Sequence, residues 1–66
     1  MRLWVNGEVR EARAGESLAD LLGALGIDPR KVAVERNLEI VPKSRYNITE
    51  LAAEDRLEIV QFVGGG

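Results

Sequence analysis

Polar and apolar residues alternate from the first position. Met1, Leu3 and Val5 fall on one side, and Arg2, Trp4 and Asn6 on the other. A period of two with one apolar face predicts a strand over Met1–Val5. Asn6-Gly7 follows, and both residues tolerate the positive φ of a type I′ turn, so the chain should double back as a hairpin. The return strand, Glu8–Arg13, is more polar, with Val9 as its apolar anchor. Ala14-Gly15-Glu16 breaks the alternation. The period then changes: Leu18, Leu21, Leu22 and Leu25 stand at i, i+3, i+4 and i+7, which lines one face of a helix. Ser17 suits the N-cap, and Asp20 in the first turn suits the helix dipole. Gly26 suits the C′ position, and Pro29 prevents resumption. The helix is therefore expected over Leu18–Leu25.

Two short apolar runs come next, Val32-Ala33-Val34 and Glu39-Ile40-Val41, joined by a turn near Arg36–Leu38. Pro42 cannot donate to a ladder, so the second run belongs at an edge or ends there. Lys43–Glu50 is irregular, with Tyr46, Ile48 and Leu51 expected to tie it to the core. Ala53-Glu54-Asp55 is a turn, and Arg56–Phe62 is the final strand. The order is hairpin, helix, strand pair, last strand. With the first and last strands parallel and adjacent, it predicts a mixed sheet packed against one main helix, the α+β architecture called β-grasp or ubiquitin-like. Its core should comprise Leu3, Val5, Leu18, Leu21, Leu22, Leu25, Val32, Val34, Leu57 and Ile59. The domain is expected over residues 1–63, with 64–66 as a flexible tail.

Composition narrows the chemistry. Sixty-six residues allow one thin-cored domain with no room for a deep pocket. The chain has no Cys and no His. That removes thiol nucleophiles, disulfides, the commonest general base and the commonest metal ligand, and no metal site is expected. The net charge of −2 argues against nucleic acid as a partner. No apolar stretch is long enough to span a bilayer, and the N-terminal residues lack the apolar run of a signal peptide, so no membrane partner and a cytoplasmic location are expected. The carboxylates of Glu8, Glu11, Asp28, Glu54 and Asp55 read as solvated turns and hairpin. Ser17 reads as a helix cap with no base to activate it.

What remains is the C-terminal Gly64-Gly65-Gly66. Three glycines carry no side chains and span roughly 10 Å when extended. Such an arm passes through a channel shaped for bare backbone and presents the Gly66 carboxylate to another protein. A frayed end explains the glycines equally well. The last strand adds an independent indication. Leu57, Ile59, Gln61 and Val63 share one face, and Glu58, Val60 and Phe62 the other. If Leu57 and Ile59 point at the helix, Val60 and Phe62 face outward beside the tail, with Trp4 of the neighbouring strand on the same face. An outward Trp, Val and Phe fit a surface that a partner covers, and Trp4, Val60, Phe62 and Val63 are the partner-binding candidates.

The residues also resemble a known family. Leu3-Trp4-Val5-Asn6-Gly7-Glu8, Ala14-Gly15-Glu16-Ser17-Leu18, Val32-Ala33-Val34-Glu35-Arg36-Asn37, Ile40-Val41-Pro42-Lys43-Ser44 and the ending Glu58–Gly66 together resemble the ThiS family, the sulfur carriers of thiamine (thiazole) biosynthesis. One departure is the turn before the last strand, where family members often have Gly and this chain has Ala53-Glu54-Asp55. The resemblance implies a carrier that is not itself an enzyme and binds no cofactor. An adenylyltransferase resembling ubiquitin-activating enzyme would use ATP to adenylate the Gly66 carboxylate. Sulfur from a persulfide donor would displace AMP to leave a thiocarboxylate, and thiazole synthase would take that sulfur. The small subunit of molybdopterin synthase, a ubiquitin-like protein modifier and an inert interaction module are the competing readings.

Overall fold

The computed structural model describes residues 1–62. Strand β1 is Arg2–Val5 and β2 is Glu8–Glu11, paired antiparallel with Val5 opposite Glu8. The turn between them holds Asn6 at φ 51° and Gly7 at φ 82°, the positive pair that a type I′ turn requires. Helix α1 is Leu18–Ala24. It opens on a reciprocal capping box: Asp20 N–H donates to Ser17 Oγ, and Ser17 N–H donates to the Asp20 carboxylate, both at 3.1 Å. It closes with Gly26 at φ 72°, where the Ile27 N–H reaches Leu22 C=O at 2.9 Å and the Gly26 N–H reaches Gly23 C=O at 3.1 Å. These two bonds form a Schellman motif and satisfy carbonyls that the helix end would leave unpaired.

A 3₁₀ turn at Pro29–Lys31 leads into β3, Val32–Arg36, which pairs antiparallel with β4, Glu39–Val41. A second 3₁₀ turn at Lys43–Arg45 starts the long return to β5, Arg56–Gln61. The sheet order is β2-β1-β5-β3-β4, with β5 parallel to β1 and antiparallel to β3. The predicted mixed sheet with one helix is therefore present. The last strand sits at its centre, so its register fixes where the chain leaves the fold.

One core lies between sheet and helix. Leu3, Val5, Val32, Val34 and Leu57 from the sheet meet Leu18, Leu21 and Leu22 from the helix. Tyr46, Leu51 and Ala12 are buried in the same cluster.

Four expectations need correction. β2 stops at Glu11 and is exposed throughout, and Val9 is no core anchor. It stands opposite Trp4 on the outer face, so the buried residue is Ala12. The helix ends one residue early, because Leu25 is the C-cap and only partly buried. Ile59 is likewise only partly buried, since the sheet outruns the helix at that level. Ile48 does not tie the irregular segment down: it is 70% exposed on a turn whose N–H goes to Arg45 C=O.

The turn before β5 shows how the chain manages without the family's glycine. Glu54 takes the positive φ itself, at 69°. It is held there by its N–H on Arg2 C=O at 2.7 Å and by the Arg2 guanidinium at 3.1 Å from its carboxylate. The next residue, Asp55, is buried and fully used. It accepts from the Ala52 N–H at 2.8 Å, Arg36 Nε at 2.9 Å and Asn37 Nδ2 at 3.1 Å. Burial alone would raise its pKa, but these donors and the Arg36 charge outweigh it and hold the carboxyl below its ordinary value of 3.8. A depressed folded-state pKa means stability that is present at neutral pH and lost as pH falls through the folded value. Asp55→Ala should cost about 1–3 kcal/mol by stranding three donors. Urea unfolding should show that penalty at neutral pH and a smaller one on acidification.

Candidate functional site

The residues singled out on β5 occupy the face turned away from the helix. Val60 and Phe62 are 60% and 56% exposed. Val60 stands opposite Ala33, and the Phe62 N–H continues the ladder to Lys31 C=O at 2.9 Å. The outward parity of these side chains thus follows from Leu57 pointing into the core, an odd number of residues before each of them. Lys43 closes over this end of the strand. Its Nζ lies 4.4 Å from the centre of the Phe62 ring and donates to Arg30 C=O at 2.8 Å. The ammonium therefore orients the last described aromatic ring immediately before the tail.

Trp4 is on the same face but not in the same patch. It is level with Arg56, and Glu58 separates it from Val60 along β5. The Arg2 and Arg56 guanidinium carbons stack on its ring at 4.9 and 4.7 Å. That double cation–π sandwich covers the indole and leaves it half-buried. Val63, Gly64, Gly65 and Gly66 lie outside the described residues, as does the division of domain from tail.

Sequence reading missed Ile40. It is 74% exposed on β4, opposite Glu35 and on the same face as Ala33 and Val60. The signal was available: Val41 turns inward to Val34, so its neighbour on the strand must turn outward. Ile40, Ala33, Val60 and Phe62 thus share the outer face, with Glu35 standing between Ile40 and β5.

Nothing among the described residues competes with the chain end for chemistry. The Ser17 hydroxyl caps the helix and accepts the Asp20 N–H. The Tyr46 hydroxyl donates to Val32 C=O at 3.2 Å inside the core, and burial pushes its pKa up. Asp28 is clasped by Arg30 through two side-chain hydrogen bonds and one from its backbone, which hold its carboxyl down at about 2. Among the described residues no group of three or more acidic side chains is placed to hold a metal ion. No described helix is long and apolar enough to cross a membrane.

Comparison with known proteins places this geometry. The model of the ThiS family matches residues 3–66. The sulfur carrier protein ThiS of Bacillus subtilis is 43% identical, over 97% of this chain and 98% of its own length. A thiazole synthase of Paramagnetospirillum magneticum is 58% identical over the whole of this chain, which spans only 20% of that larger protein. The crystal structure of the thiamine biosynthesis protein ThiS from Geobacter metallireducens superposes with a TM-score of 0.86 at 30% identity, over 100% of both chains. A mixed five-stranded sheet packed on one helix, matched in sequence over residues 3–66 and in fold over the full length, shows that the chain belongs to the ThiS family of sulfur carrier proteins.

Proposed function

We propose that this protein carries sulfur for thiamine biosynthesis on the carboxyl group of Gly66, and that it acts as a co-substrate of partner enzymes rather than as a catalyst. The observation that carries the reading is the central position of β5, which carries an exposed Val60 near its end and is followed by an exposed Phe62, a few residues before Gly64-Gly65-Gly66 in sequence. A carboxylate is a poor electrophile at neutral pH. An adenylyltransferase partner resembling ubiquitin-activating enzyme therefore joins AMP from ATP to Gly66, with release of pyrophosphate. The terminal sulfur of a persulfide donor attacks the acyl carbon and AMP leaves. Reductive cleavage of the S–S bond by a thiol then frees the thiocarboxylate. Thiazole synthase accepts that sulfur in forming the thiazole ring. The match to part of a thiazole synthase chain supports that last partner. Absence of cysteine means that no internal thiol intercepts the activated carbonyl. The cytoplasm, where reduced thiols and ATP are available, is the proposed site of action.

The test is the mass of the chain after incubation with ATP, the activating enzyme and a persulfide donor. Replacement of one oxygen by sulfur, located at Gly66 by fragmentation, is expected. A conjugate on a lysine would instead establish a protein modifier, and an unchanged mass an inert module. The outer surface has its own expected result. Val60→Asp and Phe62→Ala should each weaken binding to the activating enzyme about tenfold or more, as truncations of buried interface anchors do. Melting temperature should hardly change, since both side chains are more than half exposed. Titration calorimetry with the two variants measures this, and unchanged affinity would remove the patch from the interface.

A further inference from the structure

The side of β5 that faces β1 is only partly paired. Along this strand, the backbone groups of Glu58, Val60 and Phe62 point to β3, as the Phe62–Lys31 bond shows. Those of Leu57, Ile59 and Gln61 therefore point the other way. Leu57 C=O accepts the Asn6 N–H at 2.8 Å. At Ile59 the neighbouring strand has already turned away, and the Asn6 side chain takes its place. Asn6 Oδ1 accepts the Ile59 N–H at 2.7 Å, and Asn6 Nδ2 donates to Ile59 C=O at 3.2 Å. Two residues further, at Gln61, no described strand occupies this lane. A groove of about 350 Å³ opens there instead, with Ile59, Leu25 and Ile27 on its apolar wall and Glu8 and Arg10 at its rim.

We propose that an extended segment of thiazole synthase fills this lane, pairing with the Gln61 N–H and C=O as an added strand and placing one apolar side chain in the groove. The proposal rests on the carrier reading above. The lane offers a backbone donor and acceptor in strand geometry, which is what an extended peptide recognises irrespective of sequence. It lies at Gln61, three residues before Gly64 in sequence. The choice of partner follows from the thiazole synthase in which a segment 58% identical to this chain is part of the same polypeptide. Asn6 then has a specific part: it ends the pairing with β1 at Ile59 and keeps the next position open.

Proline at position 61 tests this cleanly. It deletes the N–H on the open lane and leaves those of Val60 and Phe62, which face β3, intact. Val60, the preceding residue, is already extended in β5, as proline requires of its neighbour. Gln61→Pro is expected to keep the wild-type melting temperature but bind intact thiazole synthase about tenfold more weakly or worse. Gln61→Ala, which keeps the backbone, should bind as wild type. If the proline variant folds poorly, a semisynthetic chain with the amide nitrogen of residue 61 replaced by an ester oxygen makes the same deletion and should give the same loss. Wild-type affinity in the proline or ester chain would overturn strand addition, and so would an equal loss in Gln61→Ala. A wild-type dimer in sedimentation that Gln61→Pro dissolves would assign the lane to a second copy and overturn it too. Failure of the carrier reading is separate, seen as wild-type chain that neither acquires sulfur at Gly66 nor binds the synthase.

Discussion

Deleting Gly66, adding one residue after it, or substituting Gly65→Val is expected to abolish sulfur loading while leaving thermal stability unchanged. On the carrier reading proposed above, the first two changes remove or displace the carboxyl group that a partner would have to reach. The third puts a β-branched side chain where the path admits only backbone, and narrows the φ/ψ range open to the chain. Stability should not respond, because the last described ladder bond, from Phe62 to Lys31, lies upstream of all three. ATP-dependent thiocarboxylate formation, followed by mass, and melting temperature are the two measurements. The informative outcome is their divergence, with loading lost by orders of magnitude at constant melting temperature. A chain truncated before Gly64 that still accepted and donated sulfur would end the carrier reading.

The second large effect is on the fold. Leu22 is completely buried, one of three helix leucines that meet the sheet. Leu22→Ala should cost about 2–5 kcal/mol from lost transfer energy and the residual cavity. Alanine is the best helix former, so helix propensity adds nothing to this loss, which reports packing. Small domains have total stabilities of roughly 5–15 kcal/mol, and a short chain lies toward the low end. Urea titration of wild type and variant gives the difference. A cost well under 1 kcal/mol would mean that the helix is not seated as described.

Much of the architecture was legible because two periods carry it. The alternation in Met1–Val5 and Arg56–Phe62 and the leucine spacing in 18–25 each define one apolar face, and those faces have only each other to cover. The glycine and asparagine positions located the turns, since positive φ is cheap only for a few residue types. Where the reading failed, the deciding contacts were not local. Val9 is apolar but opposes Trp4, and only the pairing register puts both on the outer face. Ile48 and Ile40 are as apolar as core residues, and their exposure follows from a turn and from the register of β4, which turns Val41 inward and Ile40 outward. Glu54 and Leu38 take positive φ against their intrinsic preference; Glu54 is held so by Arg2, 52 residues away in sequence. Of the candidate site, the tail was evident from composition, and Val60 and Phe62 from parity. The arginine pair that sequesters Trp4 becomes visible only when β1 and β5 lie side by side.

The central place of β5 also has a mechanical consequence. On the carrier reading, a partner that gripped the tail would pull along the axis of a strand paired with β3, running against it, over Leu57–Gln61 and with β1, running the same way, at Arg56 and Leu57. Hydrogen bonds between strands lie across that axis. A lengthwise load is therefore shared by many of them at once, in shear, instead of opening them one after another as a zipper. An edge strand peeled from its end would yield at its last bond. On the carrier reading, the loaded end would follow a strand that resists such a pull. An enzyme can draw the tail taut into a narrow channel, and withdraw from it after transfer, without unravelling the domain that carries it.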